Sequence, residues 1–163
     1  MENNAKNIES FLIQPGDLPP EQVAGEFILI ADHHPILRNV GDAEFRATQW
    51  LGHIEDSAEI GGEVTLYLYP SQSLAESFFT RLVEGLDGNP FSEIGDECLT
   101  HQGHLSFLPS ARSASIRFRR KRFVVEIRGW ANDDPSFARS KLTFEVLVRY
   151  AKLLDKRLIA VRE

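Results

Sequence analysis

Ala114-Ser-Ile-Arg-Phe-Arg-Arg-Lys-Arg-Phe-Val-Val-Glu-Ile-Arg128 decides the fold. Two runs with an apolar residue at every second position flank a short basic centre, the pattern of a β-hairpin with one buried face. With Arg120-Lys121 as the central turn residues, Phe118 faces Phe123, Ile116 faces Val125 and Ala114 faces Ile127. Those six share one face, while Ser115, Arg117, Glu126 and Arg128 fall on the other. A one-residue slip would mix the two sets, so the register is well specified.

Upstream, residues 95–107 read as a turn, a weak strand, a turn at Gly103 and a further strand, and residues 109–112 read as a loop. Residues 45–54 and 63–69 read as two strands joined by a polar loop that contains Gly61-Gly62. In the second, Val64, Leu66 and Leu68 alternate with Thr65, Tyr67 and Tyr69. Residues 26–31 suit a short strand or the end of a helix that starts near Pro20. His33-His34-Pro35 ends either one, because the residue before proline avoids helical geometry. Pro15-Gly-Asp-Leu-Pro-Pro20 is a rigid turn.

Two helices follow from a period near 3.6. Leu74, Phe78, Leu82 and Leu86 mark the first, with Phe79 and Val83 widening the stripe, Ser73 and Glu76 as a capping box, and Gly88-Asn89-Pro90 as its stop. Phe144, Leu147, Ala151, Leu154 and Leu158 mark the second, with Asp134 as N-cap, Pro135 at its first position, and Lys152, Lys156 and Arg157 near its end. The order of elements predicts an α+β fold with a mainly antiparallel sheet covered by helices. A flexible segment, residues 1–10, precedes a single domain, residues 11–163.

The chain of 163 residues, 42% apolar and 26% charged, is long enough to bury a core and too apolar for wholesale disorder. Its charge is divided unevenly. Residues 112–163 carry fourteen Lys and Arg against six Asp and Glu, a balance of +8; residues 1–111 carry four against eighteen, a balance of −14. A net charge of −6 argues against nucleic acid as partner, because phosphate binding needs a coherent positive field. No stretch approaches the ~18 apolar residues of a membrane span. With Met1 as the native start the reading is cytoplasmic; with Met1 in place of a removed export segment it is the cell envelope.

The order of elements also resembles the PsbP-like superfamily of small bacterial sensor-like domains, which includes lipoproteins and kinase sensor domains. Four stretches carry the resemblance. Phe11-Leu-Ile-Gln-Pro-Gly-Asp-Leu-Pro-Pro20 is similar to the family's opening LPxDLPxG, and Val64-Thr-Leu-Tyr-Leu-Tyr-Pro70 leads into a helix bearing Ala and Phe. Ile94-Gly-Asp-Glu97 precedes a strand, and residues 116–127 lead into the helix that ends Leu154-Asp-Lys-Arg-Leu158. Together they cover most of residues 11–159. Arg120-Lys121 stands where family members commonly have Arg-Gly-Asn. The resemblance implies an α/β/α sandwich and a binding or sensing role. It implies no catalytic constellation and no cofactor.

Two readings fit the basic hairpin, Arg117, Arg119, Arg120, Lys121 and Arg122 with Arg112 and Arg128. Guanidinium groups suit phosphate, carboxylate or an acidic protein. The other reading, a charged surface neutralised by the acidic first half, is favoured because exposed charge is usually only surface. Tyr67 and Tyr69 share a strand face beside that hairpin and, with Arg117 and Arg119–Arg122, make the best binding-site candidate. The five histidines lack convergent metal-ligand spacing: His101 and His104 in a strand point to opposite faces. Cys98 reads as a small buried apolar residue.

The preferred reading is a non-enzymatic binding, sensing or adaptor domain for a protein or an anionic small molecule. One alternative is a hydrolase or transferase using Asp96, Glu97, His101 or His104. Another is a structural subunit whose sheet or basic face makes a homodimer.

Overall fold

The basic hairpin forms, and its second strand joins the centre of a seven-stranded antiparallel sheet. The computed structural model describes residues 8–18, 22–53, 60–105, 108–132 and 144–161. Its strands are β1 (Gln22–Ile30), β2 (Phe45–His53), β3 (Ile60–Leu68), β4 (Asn89–Pro90), β5 (Glu97–Leu105), β6 (Leu108–Arg120) and β7 (Phe123–Asn132). The helices are α1 (Ile8–Phe11), α2 (Pro35–Asn39), α3 (Gln72–Val83) and α4 (Phe144–Ile159), with a single 3-10 turn at Pro15–Asp17. This is an α+β fold.

Strand order is β1-β2-β3-β7-β6-β5-β4. Two meanders, β1 to β3 and β4 to β7, are joined by the antiparallel pairing of β3 with β7. The chain leaving β3 must cross the sheet to begin β4 at the far edge, and α3 is that crossing. It therefore lies on one face, while α4 and α1 lie on the other.

On the α4 face, alternate residues of β2, β3, β5, β6 and β7 meet the helix stripe. Phe45, Ala47, Val64, Leu66, Cys98, Ile116, Phe118, Val125 and Ile127 are buried against Leu147, Ala151, Leu154 and Leu158. Full burial of such an aliphatic or aromatic side chain stabilises by about 1.5–3 kcal/mol relative to exposure. Ile8 is fully buried in the same core, so the chain is already packed at α1. The smaller core under α3 holds Tyr67, Tyr69, Ala75, Phe78, Phe79, Val124 and Leu37.

The hairpin register differs from the sequence expectation by two residues. Phe118 pairs with Val125, Ile116 with Ile127 and Arg120 with Phe123, so Lys121 and Arg122 are the turn. Alternation of faces excludes only odd slips, since a shift of two keeps every side chain on its face. What selects the observed turn is Asp96: Lys121, at φ +51°, donates its backbone N–H to Asp96 Oδ2 at 2.6 Å. That acceptor offsets part of the ~1–2 kcal/mol that a left-handed conformation costs a non-glycine residue.

Four local expectations are corrected. Residues 109–112 are not a loop but part of β6, which starts at Leu108. Gly103 does not interrupt its strand, because β5 runs unbroken to Leu105. Helix α3 is capped by Ser71, whose hydroxyl accepts from Leu74 N at 3.3 Å, rather than by Ser73 with Glu76, and it ends at Val83 before Gly88 is reached. Residues 26–31 belong to a strand, but one that starts at Gln22. The expected cap at Asp134-Pro135 lies outside the described residues.

Candidate functional site on the α3 face of the sheet

Register places the side chains of the α3 face in cross-strand rows. The first row, at the α3 end of the sheet, reads Ile30–Arg46–Tyr67–Val124–Arg119–Glu97 from β1 to β5. The second reads Ile28–Thr48–Thr65–Glu126–Arg117–Leu99, and the third Trp50–Glu63–Arg128–Ser115–His101 over β2 to β5. Only the first row has an apolar centre. Phe78 of α3 sits on it, with ring centroids 5.0 Å from Tyr67 and 5.4 Å from Tyr69.

The second and third rows carry polar groups that satisfy one another. Arg117 Nε donates to Glu126 Oε2 at 2.6 Å and its Nη1 to Ser115 Oγ at 2.9 Å. Arg128 is ion-paired to Glu63 across the strands and approaches Glu126 Oε1 at 3.7 Å. Burial holds the Arg128 guanidinium below its ordinary pKa. Thr48 and Thr65 hydroxyls lie 3.4 Å apart. Two acids and two arginines alternate here, with no net charge. Trp50 and Ile28 stand exposed at the β1–β2 margin of this patch.

The arginines of the hairpin are engaged with the acidic first half and with α4. Arg119, buried, donates to Glu97 at 2.8 Å and Asp96 at 3.2 Å, and lies 3.6 Å from Glu76 of α3. Arg120 forks onto Asp155 of α4 at 2.7 and 2.8 Å and reaches Asp96 at 2.9 Å. The hydrogen bonds to Asp155 raise its pKa first, against the desolvation that lowers it. Arg122 donates to the carbonyls of Tyr69 and Pro70 at 3.2 and 3.4 Å and lies 3.8 Å from Glu44. The Lys121 backbone is held by Asp96.

The hairpin tip thus ties α3 to α4 across the end of the sheet. Gly95 makes room for this: at φ +70°, a Cβ there would lie 2.6 Å from Arg119 O. Its N–H also donates to Asp155.

Tyr67 and Tyr69 point to the same face, as expected, and both are buried. Tyr69 donates its hydroxyl to Val40 O at 2.7 Å. Burial pushes both phenols above their ordinary pKa. Tyr67 is raised further by Glu126 and lowered by Arg46 and Arg117, so its hydroxyl stays protonated and able to donate near neutral pH.

Asp96 and Glu97 are committed to Arg119 and Arg120. His101 sits on the third row with Nδ1 2.5 Å from Asp87 O. His104 is on β5 opposite Arg112, three residues on, and its side chain lies outside the described residues. Among the described residues no His, Cys, Asp and Glu cluster has metal-binding geometry. Cys98 is buried on the α4 face, its thiol pushed up to about 12 by desolvation and by Asp155.

Three positions carry structural weight that sequence reasoning did not assign to them. Gln49, at 5% exposure on the α4 face, accepts from Ile13 N at 3.1 Å and donates to Ile13 O at 2.9 Å, imitating a strand partner for the entry segment. Arg157 of α4 forks onto Asp17 at 2.8 Å and donates to Leu12 O. Arg46 is the third. Its Nε is buried with no hydrogen-bond acceptor among the described residues. A lone arginine in an acidic stretch gave no pattern to read, and only the register shows what faces it.

No protein-family model matches the chain, and no curated protein does. Among solved structures it is similar to the extracellular domain of PknH from Mycobacterium tuberculosis, with a TM-score of 0.59 over 93% of this chain and 94% of that one at 10% identity. The two share a fold.

Proposed function

We propose that this chain is a non-enzymatic sensing or binding domain of the PsbP-like type, which recognises an anionic small molecule on the α3 face beside helix α3. One observation carries the reading: the second and third rows form an ordered polar surface whose groups are satisfied by one another rather than set up for proton transfer. Internal ion pairing fixes those side chains before any ligand arrives, which lowers the entropic cost of recognition. The likeness to the extracellular domain of PknH supports the same reading through fold.

Of the residues singled out in the sequence, Arg117 belongs to this surface and Tyr67, in the first row, borders it, while Trp50, Thr48 and Ile28 extend it. Arg119, Arg120 and Arg122 hold its frame at the hairpin end.

A thermal-shift screen of the full chain against small carboxylates and phosphates tests the proposal. A stabilising hit should be lost in Thr48→Glu, which places a like charge on the patch, and kept in Arg149→Ser on exposed α4 surface. Capture of a protein partner that Trp50→Ala abolishes while Thr48→Glu does not would replace the anionic ligand by a protein. Turnover of an ester or phosphate substrate by the purified chain would overturn the reading.

A further inference from the structure

Among the arginines of the strands and hairpin on this side of the sheet and at its hairpin end, five are paired with acids, Arg117, Arg119, Arg120, Arg122 and Arg128, and Arg81 of α3 lies 5.9 Å over the Phe78 ring. Arg46 differs from all of these. It lies in the first row between Ile30 and Tyr67, half-buried, with a buried Nε that has no acceptor among the described residues. Glu44, two residues before it and just ahead of β2, is turned toward Arg122. Glu126, the acid whose charge also reaches Tyr67, is taken by Arg117 and Arg128.

A guanidinium donor withdrawn from water without an acceptor is unfavourable, and a sheet face that pairs its other strand arginines with acids has left this donor open. The groups beside it suit an acceptor with several oxygens. The Tyr67 phenol faces the charges of Arg46 and Arg117 and is held protonated, and the Thr48 hydroxyl follows two residues along the same face of β2. Exposed Ile28 on the neighbouring strand bounds the spot on its apolar side.

We infer that Arg46 is the anchor of a small-molecule anion site, taking a carboxylate or phosphate group between its guanidinium, the Tyr67 hydroxyl and the Thr48 hydroxyl. The inference rests on the binding-domain reading above and names the ligand class and the residue that holds it. A planar fork meets two oxygens of either group at once, a geometry that a lysine ammonium does not supply.

The test is a titration of the full-length, ¹⁵N-labelled chain with sodium phosphate and, separately, sodium acetate, at ionic strength held constant with chloride. Resonances followed are the Arg46 Nε–Hε and the backbone amides of Thr48 and Tyr67. The expected result is a saturable shift at these three with one half-point, tighter for one anion than the other. That order identifies phosphate or carboxylate as the preferred group. Arg46→Lys should weaken the half-point at Thr48 and Tyr67 by about tenfold or more, and Arg46→Met should abolish it, with both variants keeping the amide spectrum of the folded chain.

Shifts of equal size at exposed Arg38, Arg81 and Arg149 would reduce the effect to general anion screening and overturn the inference. So would a half-point unchanged in Arg46→Met. If neither anion moves Arg46 while a hit from the thermal-shift screen is still lost in Thr48→Glu, the anchor is wrong and the binding-domain reading stands. If no anion shifts the protein in either experiment, both fall.

Discussion

Arg119 and Arg46 flank the apolar centre of one cross-strand row, on either side of Tyr67 and Val124 and at the α3 end of the same face. Arg119 comes from the most basic stretch of the chain and has carboxylates of Glu97, Asp96 and Glu76 within 3.6 Å. Arg46 comes from the acidic first 111 residues and has a buried nitrogen with no acceptor among the described residues. Clustered positive charge here marks the frame of the molecule, because a dense cluster draws the acids toward it. Availability has moved to the isolated cation, whose nearby acids are taken by other arginines.

The comparison breaks most visibly at Arg119. Arg119→Ala would leave Glu97 without its guanidinium partner and Asp96 with Arg120 and the Lys121 N–H alone, and would release Glu76 of α3 from the sheet. Removing one partner of a buried pair costs about 3–5 kcal/mol, reduced to roughly 2–4 here because Glu97 is half-exposed. For a chain of this size that corresponds to a fall in Tm of about 5–15 °C. A calorimetric scan showing less than about 2 °C would mean that water replaces the guanidinium at little cost. Asp155→Asn should follow closely, since it removes the charge and one of the two oxygens that receive the Arg120 fork and the Gly95 N–H. We expect a loss of about 2–3 kcal/mol by urea denaturation.

The opposite face supplies the next test, one residue from Glu97. Cys98 is an uncharged thiol in an apolar core, and its pKa rises from an ordinary 9.0 to about 12 in the folded chain. A raised folded value means that this contribution is intact below about pH 9 and falls away between about 9 and 12, as the unfolded chain ionises first. The slope is about 1.4 kcal/mol per pH unit. Tyr67 and Tyr69 titrate in the same direction, so the cysteine's share is read from the difference between the native chain and Cys98→Ala. That difference should move in favour of Cys98→Ala as pH is raised from 8 to 10.5; a difference independent of pH would show that the thiol is wetter than its burial implies.

The fold was legible because it rests on periodicity. Val64, Leu66 and Leu68 against Thr65 and Tyr67, and Phe144 through Leu158, each report a face directly, and those faces built the two cores. Hairpin pairing was legible only up to an even slip, since Asp96, which settles it, lies 25 residues away in sequence. Residues 109–112 and Gly103 differ from expectation for a related reason: pairing of β6 with β7 and of β5 with β6 overrides the turn preference of Pro and Gly when neighbours supply the ladder. The candidate site was half legible. Tyr67 and Arg117 could be placed on one face by counting, whereas which arginines were already spoken for depended on contacts between segments far apart, such as Arg120 with Asp155.

The smallest expected effect is the most diagnostic, because its sign should reverse. At Arg119 truncation strands acids; at Arg46 it strands none among the described residues, and it relieves one buried donor of a missing acceptor. Methionine keeps an unbranched stem at the register position between Ile30 and Tyr67 and discards the fork. Replacing a buried polar group that has no partner by an apolar one of similar shape is neutral or stabilising. Arg46→Met should therefore leave stability within about 0.5 kcal/mol of the native chain or raise it by up to about 1 kcal/mol, measured by urea denaturation. A loss above 2 kcal/mol would make Arg46 a structural residue like Arg119 and dissolve the contrast. A stable chain that no longer takes up phosphate or acetate is the expected outcome, since stability and recognition then separate at one residue. That separation is expected where a protein holds an incomplete group for a ligand to complete.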